Sequence, residues 1–179
     1  MVWVVVMGLS KMKSGRTAIA ALLLSTVAFS ANAAADGWAY KEVKDKFTDK
    51  EYIIATNNGD ALTGDPFRVS FECRNDKDFV FTIDAGKRLG AKQQHFKLYY
   101  RAEGEKTQKI RMVTFTNSNT GGMNKIKAVE IANDFLNADS MIIRAVSADN
   151  DQYDTEISLD GAYEPIVRAV VACGMAISK

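Results

Sequence analysis

Phe67-Arg68-Val69-Ser70-Phe71-Glu72-Cys73 alternates apolar and polar residues without a break, and Asp78-Phe79-Val80-Phe81-Thr82-Ile83-Asp84 repeats the pattern four residues later. Successive side chains of a strand point to opposite faces of a sheet. The alternation therefore puts Phe67, Val69, Phe71 and Cys73 on one face, with Phe79, Phe81 and Ile83 on the inner face of the second segment. The polar residues Arg74 to Lys77 between them supply a turn, and the pair reads as an antiparallel hairpin.

The same reading extends in both directions. Upstream, Trp38 to Val43 and Tyr52 to Thr56 read as two short strands joined by a polar turn, and Asn57 to Asp60 with Thr63 to Pro66 reads as a loop, being dense in turn-tolerant residues. Downstream, His95 to Arg101 and Lys109 to Phe115 are further strands around a turn at Glu103 to Lys106. After Gly121-Gly122 the period changes: Ile126, Val129, Ile131, Ala132, Phe135 and Leu136 recur at helical spacing, predicting a helix from Asn124 to Asn137. Strands resume at Met141 to Ser147 and Thr155 to Leu159, and Pro165 marks the first turn of a closing helix that runs to Met175. The expected fold is mainly β, an antiparallel β-sandwich with one helix before the last hairpin and one at the C-terminus.

Ahead of this domain, Lys11 to Ala35 has the three parts of an export signal. Lys11, Lys13 and Arg16 form its basic end, Ala18 to Phe29 its apolar run, and Ala31-Asn32-Ala33 its small-residue cleavage motif. The apolar run is shorter than the roughly 20 residues a membrane span needs. Cleavage is expected after Ala33, leaving residues 34–179 as a single periplasmic domain with no stable membrane anchor, and no cysteine stands there to carry a lipid. Because an uncharged apolar stretch, Met1 to Ser10, precedes the basic residues, translation is expected to start at Met12. An uncleaved anchor built from residues 1–9 and 18–29 would have to bury the intervening cations, which is costly.

The 146 residues left after cleavage suit one domain with a real core. The leader holds three of the 23 basic residues and none of the 22 acidic ones, so the exported domain carries a net charge of about −2. That balance argues against a nucleic-acid partner, which needs a basic face. Both cysteines, Cys73 and Cys173, lie in the exported part, and an even pair in an oxidising compartment predicts a disulfide. Closing a loop of about 100 residues gives an upper contribution of about 4 to 5 kcal/mol from loop-closure entropy.

Candidate chemistry is sparse. His95 is the single histidine, which excludes a metal centre with several imidazole ligands. A Cys–His nucleophile would need Cys73 or Cys173 beside His95, yet both cysteines stand on apolar faces and His95 opens a strand. Asp149, Asp151, Asp154 and Glu156 resemble a calcium loop only superficially, since Tyr153 and Asp154 stand where a ligand and then a glycine are required, so the stretch reads as a solvated hairpin turn. Asp84 to Gly90 lacks phosphate-loop spacing and reads as a plain loop. Asp45, Asp49 and Asp65 could act as acid and base only if the fold brought two together. No catalytic residue, cofactor or metal is expected. Most aromatics alternate with Val and Ile and belong to the core, with Trp38 the exception able to act as a lid.

Trp38, the Thr48-Asp49 pair, a strand ending in Cys73-Arg74, another ending in Tyr100-Arg101, and the tail Ile157-Ser158-Leu159-Asp160-Gly161-Ala162-Tyr163-Glu164-Pro165-Ile166 leading to Ala172-Cys173 together resemble the VasI/TagO-like family. The likeness runs over residues 38–174. This chain departs from it in having Phe71-Glu72 ahead of the cysteine, Ala102 after Tyr100-Arg101, and no tryptophan soon after that strand. The resemblance implies a small exported accessory protein encoded with bacterial type VI secretion systems. That family has no established catalytic residues to transfer. The expected partner is a protein or cell-wall component of the envelope, with Trp38, Asn58, Asp60 and Asp65 on the candidate binding surface. The alternative is a small periplasmic inhibitor, for instance of a lysozyme, plugging a foreign site with Asn57 to Pro66 or Asn117 to Met123. A hydrolase is the third reading.

Overall fold

The computed structural model describes residues 37–61, 66–75, 77–116 and 118–177, all within one compact unit. The leader, its cleavage point and Asp65 lie outside these residues. Nine strands and two helices follow in the order β1 (Ala39–Lys44), β2 (Glu51–Ala61), β3 (Pro66–Arg74), β4 (Asp78–Asp84), β5 (His95–Ala102), β6 (Gln108–Thr114), β7 (Thr120–Asn124), α1 (Ile126–Leu136), β8 (Ser140–Val146), β9 (Gln152–Ser158) and α2 (Tyr163–Ala172).

The fold is mainly β and antiparallel, as the alternating segments require, with one helix before the last hairpin and one at the C-terminus. The strands form a single hydrogen-bonded sheet in the order β1-β2-β3-β4-β7-β6-β5-β8-β9. That sheet also returns on itself, because Asp60 and Ala61 of β2 pair with Glu156 and Thr155 of β9. Eight strands thus close a ring, with β1 attached outside on β2. Among the described residues the β6–β7 and β9–β2 ladders have two paired positions each, fewer than the other ladders, and they divide the ring into β2, β3, β4 and β7 on one side and β6, β5, β8 and β9 on the other.

β3, β4 and β5 direct their apolar side inward. Phe67, Val69, Phe71 and Cys73 of β3, Phe79, Phe81 and Ile83 of β4, and Phe96, Leu98 and Tyr100 of β5 are buried, as the alternation demands. α1 closes one end of the ring. Its Phe135 packs edge-on against Phe71 at 5.3 Å, and Asp134 accepts a 2.8 Å hydrogen bond from the Tyr100 hydroxyl. Burial, and then the neighbouring Asp134, raise the Tyr100 pKa well above the ordinary tyrosine range. α2 is tied to the same end by the Cys73–Cys173 disulfide, whose Cα atoms are 5.4 Å apart. At the opposite end the segment after β4 folds in. Leu89 is fully buried, its N–H donates to the Ser118 carbonyl and its carbonyl accepts from Ala148 N–H. Buried side chains from the strands and both helices form one core cluster.

Two stretches expected as loops are strands. β2 continues through Asn57 to Ala61, since its far half is flanked by β3 and β9. Buried Asn57 is satisfied by donating its side-chain amide to the Ser158 carbonyl at 3.1 Å. Thr120 to Met123, expected within the exposed loop Asn117 to Met123, form β7 together with Asn124, the expected helix start, between β4 and β6. Its two glycines mark close packing rather than a turn. A Cβ on Gly121 would drive into the Phe96 ring and lie 2.8 Å from the Val113 carbonyl, and one on Gly122 would meet Phe115 at 2.7 Å. The remaining differences are boundary shifts: α1 starts at Ile126, β9 begins at Gln152, and α2 ends at Ala172 with Cys173 as its C-cap.

Candidate binding face

Because β5, β6, β8 and β9 send one set of side chains into the core, the alternate set stands on the outer face of that half of the ring. Cross-strand register arranges this set in rows. Arg111, Lys97, Val146 and Gln152 form one row; Lys109, Tyr99, Arg144 and Asp154 the next; Arg101, Ile142 and Glu156 a third. Five cations and two carboxylates therefore share the face. Lys97, Arg101, Lys109, Arg111 and Arg144 are all exposed.

Among the described residues, Arg144 is the one cation of the five held by a carboxylate. Its Nε and Nη2 donate to the two oxygens of Asp154 at 2.7 and 2.6 Å, a bidentate pairing that raises the arginine pKa further. Among the described residues, Lys97, Arg101, Lys109 and Arg111 form no ion pair. Lys97 and Arg111 stand directly opposite each other, an arrangement that disfavours the ladder. The Lys109 ammonium lies 5.6 Å from the centroid of the Tyr99 ring, its cross-strand neighbour.

Two depressions indent this face. One, of about 510 Å³, is bordered by Tyr99, Arg101, Thr107, Ile142, Arg144, Gln152 and Asp154. The other, of about 430 Å³, lies among His95, Lys97, Lys109, Arg111, Ser147 and Asn150. Each combines cations with uncharged hydrogen-bonding groups. The opposite face of the ring is different: Glu72 is occupied by Arg74 at 2.7 Å and by the Thr82 hydroxyl at 3.0 Å, and Arg74 lies over the Phe115 ring.

The residues singled out from the sequence are scattered. Trp38 is half-buried, stacked on Phe71 at 6.2 Å and edge-on to Phe135, with its indole N–H donating to the Ser158 carbonyl at 3.0 Å. Asn58 and Asp60 stand at β2 positions opposite Arg68 and Pro66. His95 is exposed at the start of β5, and both cysteines are consumed by the disulfide. In the β8–β9 turn, Ser147 Oγ accepts from the Asp149 and Asp151 amides, and Asp154 belongs to Arg144. Among the described residues no group of three His, Cys, Asp or Glu side chains is placed to hold a metal ion.

A net charge of about −2 does not reveal the cationic face. Charge segregates by face, and a sum over the chain does not register that. The available signal was the period-two recurrence of cations at Lys97 and Arg101, then Lys109 and Arg111. No family model matches the chain, and no match is found among curated proteins or solved structures.

Proposed function

We propose that this protein is an exported, non-catalytic binding protein of the bacterial envelope, accessory to a larger assembly, and that it engages an acidic partner through the outer face of β5, β6 and β8. The observation that carries this reading is the set of four cations that, among the described residues, have no carboxylate partner, on a domain whose net charge is slightly acidic. A fold spreads like charges apart unless something is gained by grouping them. The disulfide supports an oxidising compartment and hence the periplasmic placement. The accessory role beside a type VI secretion system rests on the family resemblance, and type VI structural genes flanking this gene would favour it.

Retention of the exported domain on a sulfated or phosphorylated matrix tests the reading directly. Wild type is expected to be retained at physiological salt, and Lys97→Glu/Arg111→Glu to pass through. Equal retention of both proteins would refute it. The inhibitor reading has one observation in its favour, since Phe47 at the β1–β2 turn is 99% exposed and could enter a foreign site. Co-elution with a lysozyme, lost in Phe47→Ser, would support that alternative instead.

A further inference from the structure

The two depressions lie side by side on one face, and their placement says more than that the face is basic. At about 3.4 Å per residue, Lys97 and Arg101 stand about 14 Å apart along β5, and at about 4.8 Å between strands β6 and β8 are about 10 Å apart. Cations therefore cover an area too wide for one small anion. Three kinds of extended acidic ligand fit such an area, and the face discriminates among them.

A protein partner calls for an apolar, aromatic centre with charges at the rim. Here the apolar residues on the rows are half-buried Ile142 and Val146, and the cations occupy the middle. Single-stranded nucleic acid calls for open aromatic planes on which bases stack. Tyr99 is the aromatic of this face, and its ring is covered by Lys109. What the depressions do offer beside their cations is hydrogen-bonding capacity for neutral oxygens: exposed Thr107 and Gln152 in one, exposed Asn150 in the other. Cations alternating with amide and hydroxyl groups match a chain whose units carry both acidic groups and hydroxyls.

We infer that the ligand is a linear acidic glycan, a sugar polymer bearing repeated carboxylate or phosphate groups, which lies across β5 and places one anionic unit in each depression. This rests on the binding reading given above and names its ligand class. One unit sits between Arg101 and Arg144, another between Lys97 and Arg111, and the chain passes over Tyr99 and Lys109. Asp154, which borders the same depression, holds the Arg144 guanidinium in place through Nε and Nη2 and leaves Nη1 without a carboxylate partner among the described residues. Carboxylate and phosphate polymers share this chemistry.

Oligogalacturonates from one to eight units, a teichoic-acid-type phosphodiester oligomer, and double-stranded DNA of matched charge are titrated by calorimetry against the exported domain. Affinity is expected to rise at least tenfold once the oligomer is long enough to reach both depressions, then to level off. Arg101→Glu and Lys97→Glu/Arg111→Glu should each abolish that rise while leaving single-unit binding at the intact depression. All these positions are exposed, and unchanged near-ultraviolet circular dichroism verifies folding. Whichever of the carboxylate and phosphodiester series gives the larger rise identifies the source. An affinity independent of length would overturn the inference while leaving an acid-binding face in place, and so would DNA binding as tight as the longest glycan. Binding untouched by either charge reversal would overturn both the inference and the function on which it rests.

Discussion

Gly121→Ala tests whether the ring is packed as tightly as its closure implies. Gly121 lies on β7 with no positive φ, so alanine has no backbone strain to bear there and the whole effect is steric. The added Cβ meets the Phe96 ring and the Val113 carbonyl oxygen, the latter at 2.8 Å. Phe96 is only 2% exposed and belongs to the buried core cluster. Overpacking of this kind costs about 1 to 3 kcal/mol, and two obstacles, one of them backbone, place Gly121→Ala in the upper half of that range. For a domain near 150 residues, about 2 to 3 kcal/mol lowers the melting temperature by roughly 5 to 10 °C. Urea unfolding with the disulfide intact supplies the free energy. Phe96→Leu removes the ring from the alanine's path. The double variant should therefore be less destabilised than the sum of the two single ones by at least about 1 kcal/mol, with the Val113 obstacle remaining. Gly104→Ala is the contrast: φ is +77° and nothing lies within 4 Å, so its cost of about 1 kcal/mol is conformational and does not respond to Phe96→Leu. A Gly121→Ala effect below about 0.5 kcal/mol, or strict additivity with Phe96→Leu, would refute the packing argument.

Replacing both cysteines, Cys73→Ser/Cys173→Ser, opens a loop of 100 residues and should lower stability by up to about 4.7 kcal/mol in urea unfolding; a loss under about 1 kcal/mol would contradict the staple. Asp45 Oδ1 accepts from the Phe47 and Thr48 amides at 2.8 and 2.9 Å, and these bonds, Thr48 first, hold its carboxyl below the ordinary range. A depressed carboxyl supports the turn above its unfolded value of about 3.9 and loses that support as pH falls through the lower folded value. The two amide proton shifts should titrate together below the ordinary value and stop titrating in Asp45→Asn; a midpoint at or above it would dismiss the turn. Lys97→Gln relieves the cross-strand repulsion from Arg111, so low-salt stability should rise by about 0.2 to 1 kcal/mol while polyanion binding weakens. Loss of stability in Lys97→Gln would mean that Lys97 supports the sheet rather than a ligand.

The β3–β4 hairpin was readable because its alternation is local: each residue of Phe67 to Cys73 states its own face. The far half of β2 and all of β7 were not readable, for a shared reason. Asn57 looks like a turn former until the Ser158 carbonyl, 101 residues away in sequence, is there to satisfy it. Gly121-Gly122 looks like a break until Phe96 and Phe115 are seen lying against it. Local propensity identifies residues that tolerate turns, and long-range packing decides whether they make one. The cysteine pairing was legible from compartment logic, whereas the burial of Trp38 against Phe71 and Phe135 depends on where α1 docks.

The cationic face is a further case in which one stretch answers to two demands. In His95-Phe96-Lys97-Leu98-Tyr99-Tyr100-Arg101, buried Phe96, Leu98 and Tyr100 interleave with the outward His95, Lys97, Tyr99 and Arg101. A slip of β5 by one residue would turn Lys97 and Arg101 into the core and Phe96 and Leu98 out to solvent, so register is fixed by the apolar set. Burying Phe96 and Leu98 is worth roughly 1.5 to 3 kcal/mol each, several times the repulsion between two exposed cations. The core can therefore hold Lys97 against Arg111 without any ion pair, and the charges are left unneutralised. Acidic neighbours in the same rows would have stabilised the sheet and emptied the face of its field. Two carboxylates stand in these rows against five cations, and of the two only Asp154 forms an ion pair there among the described residues, with Arg144, so the face keeps an excess of positive charge.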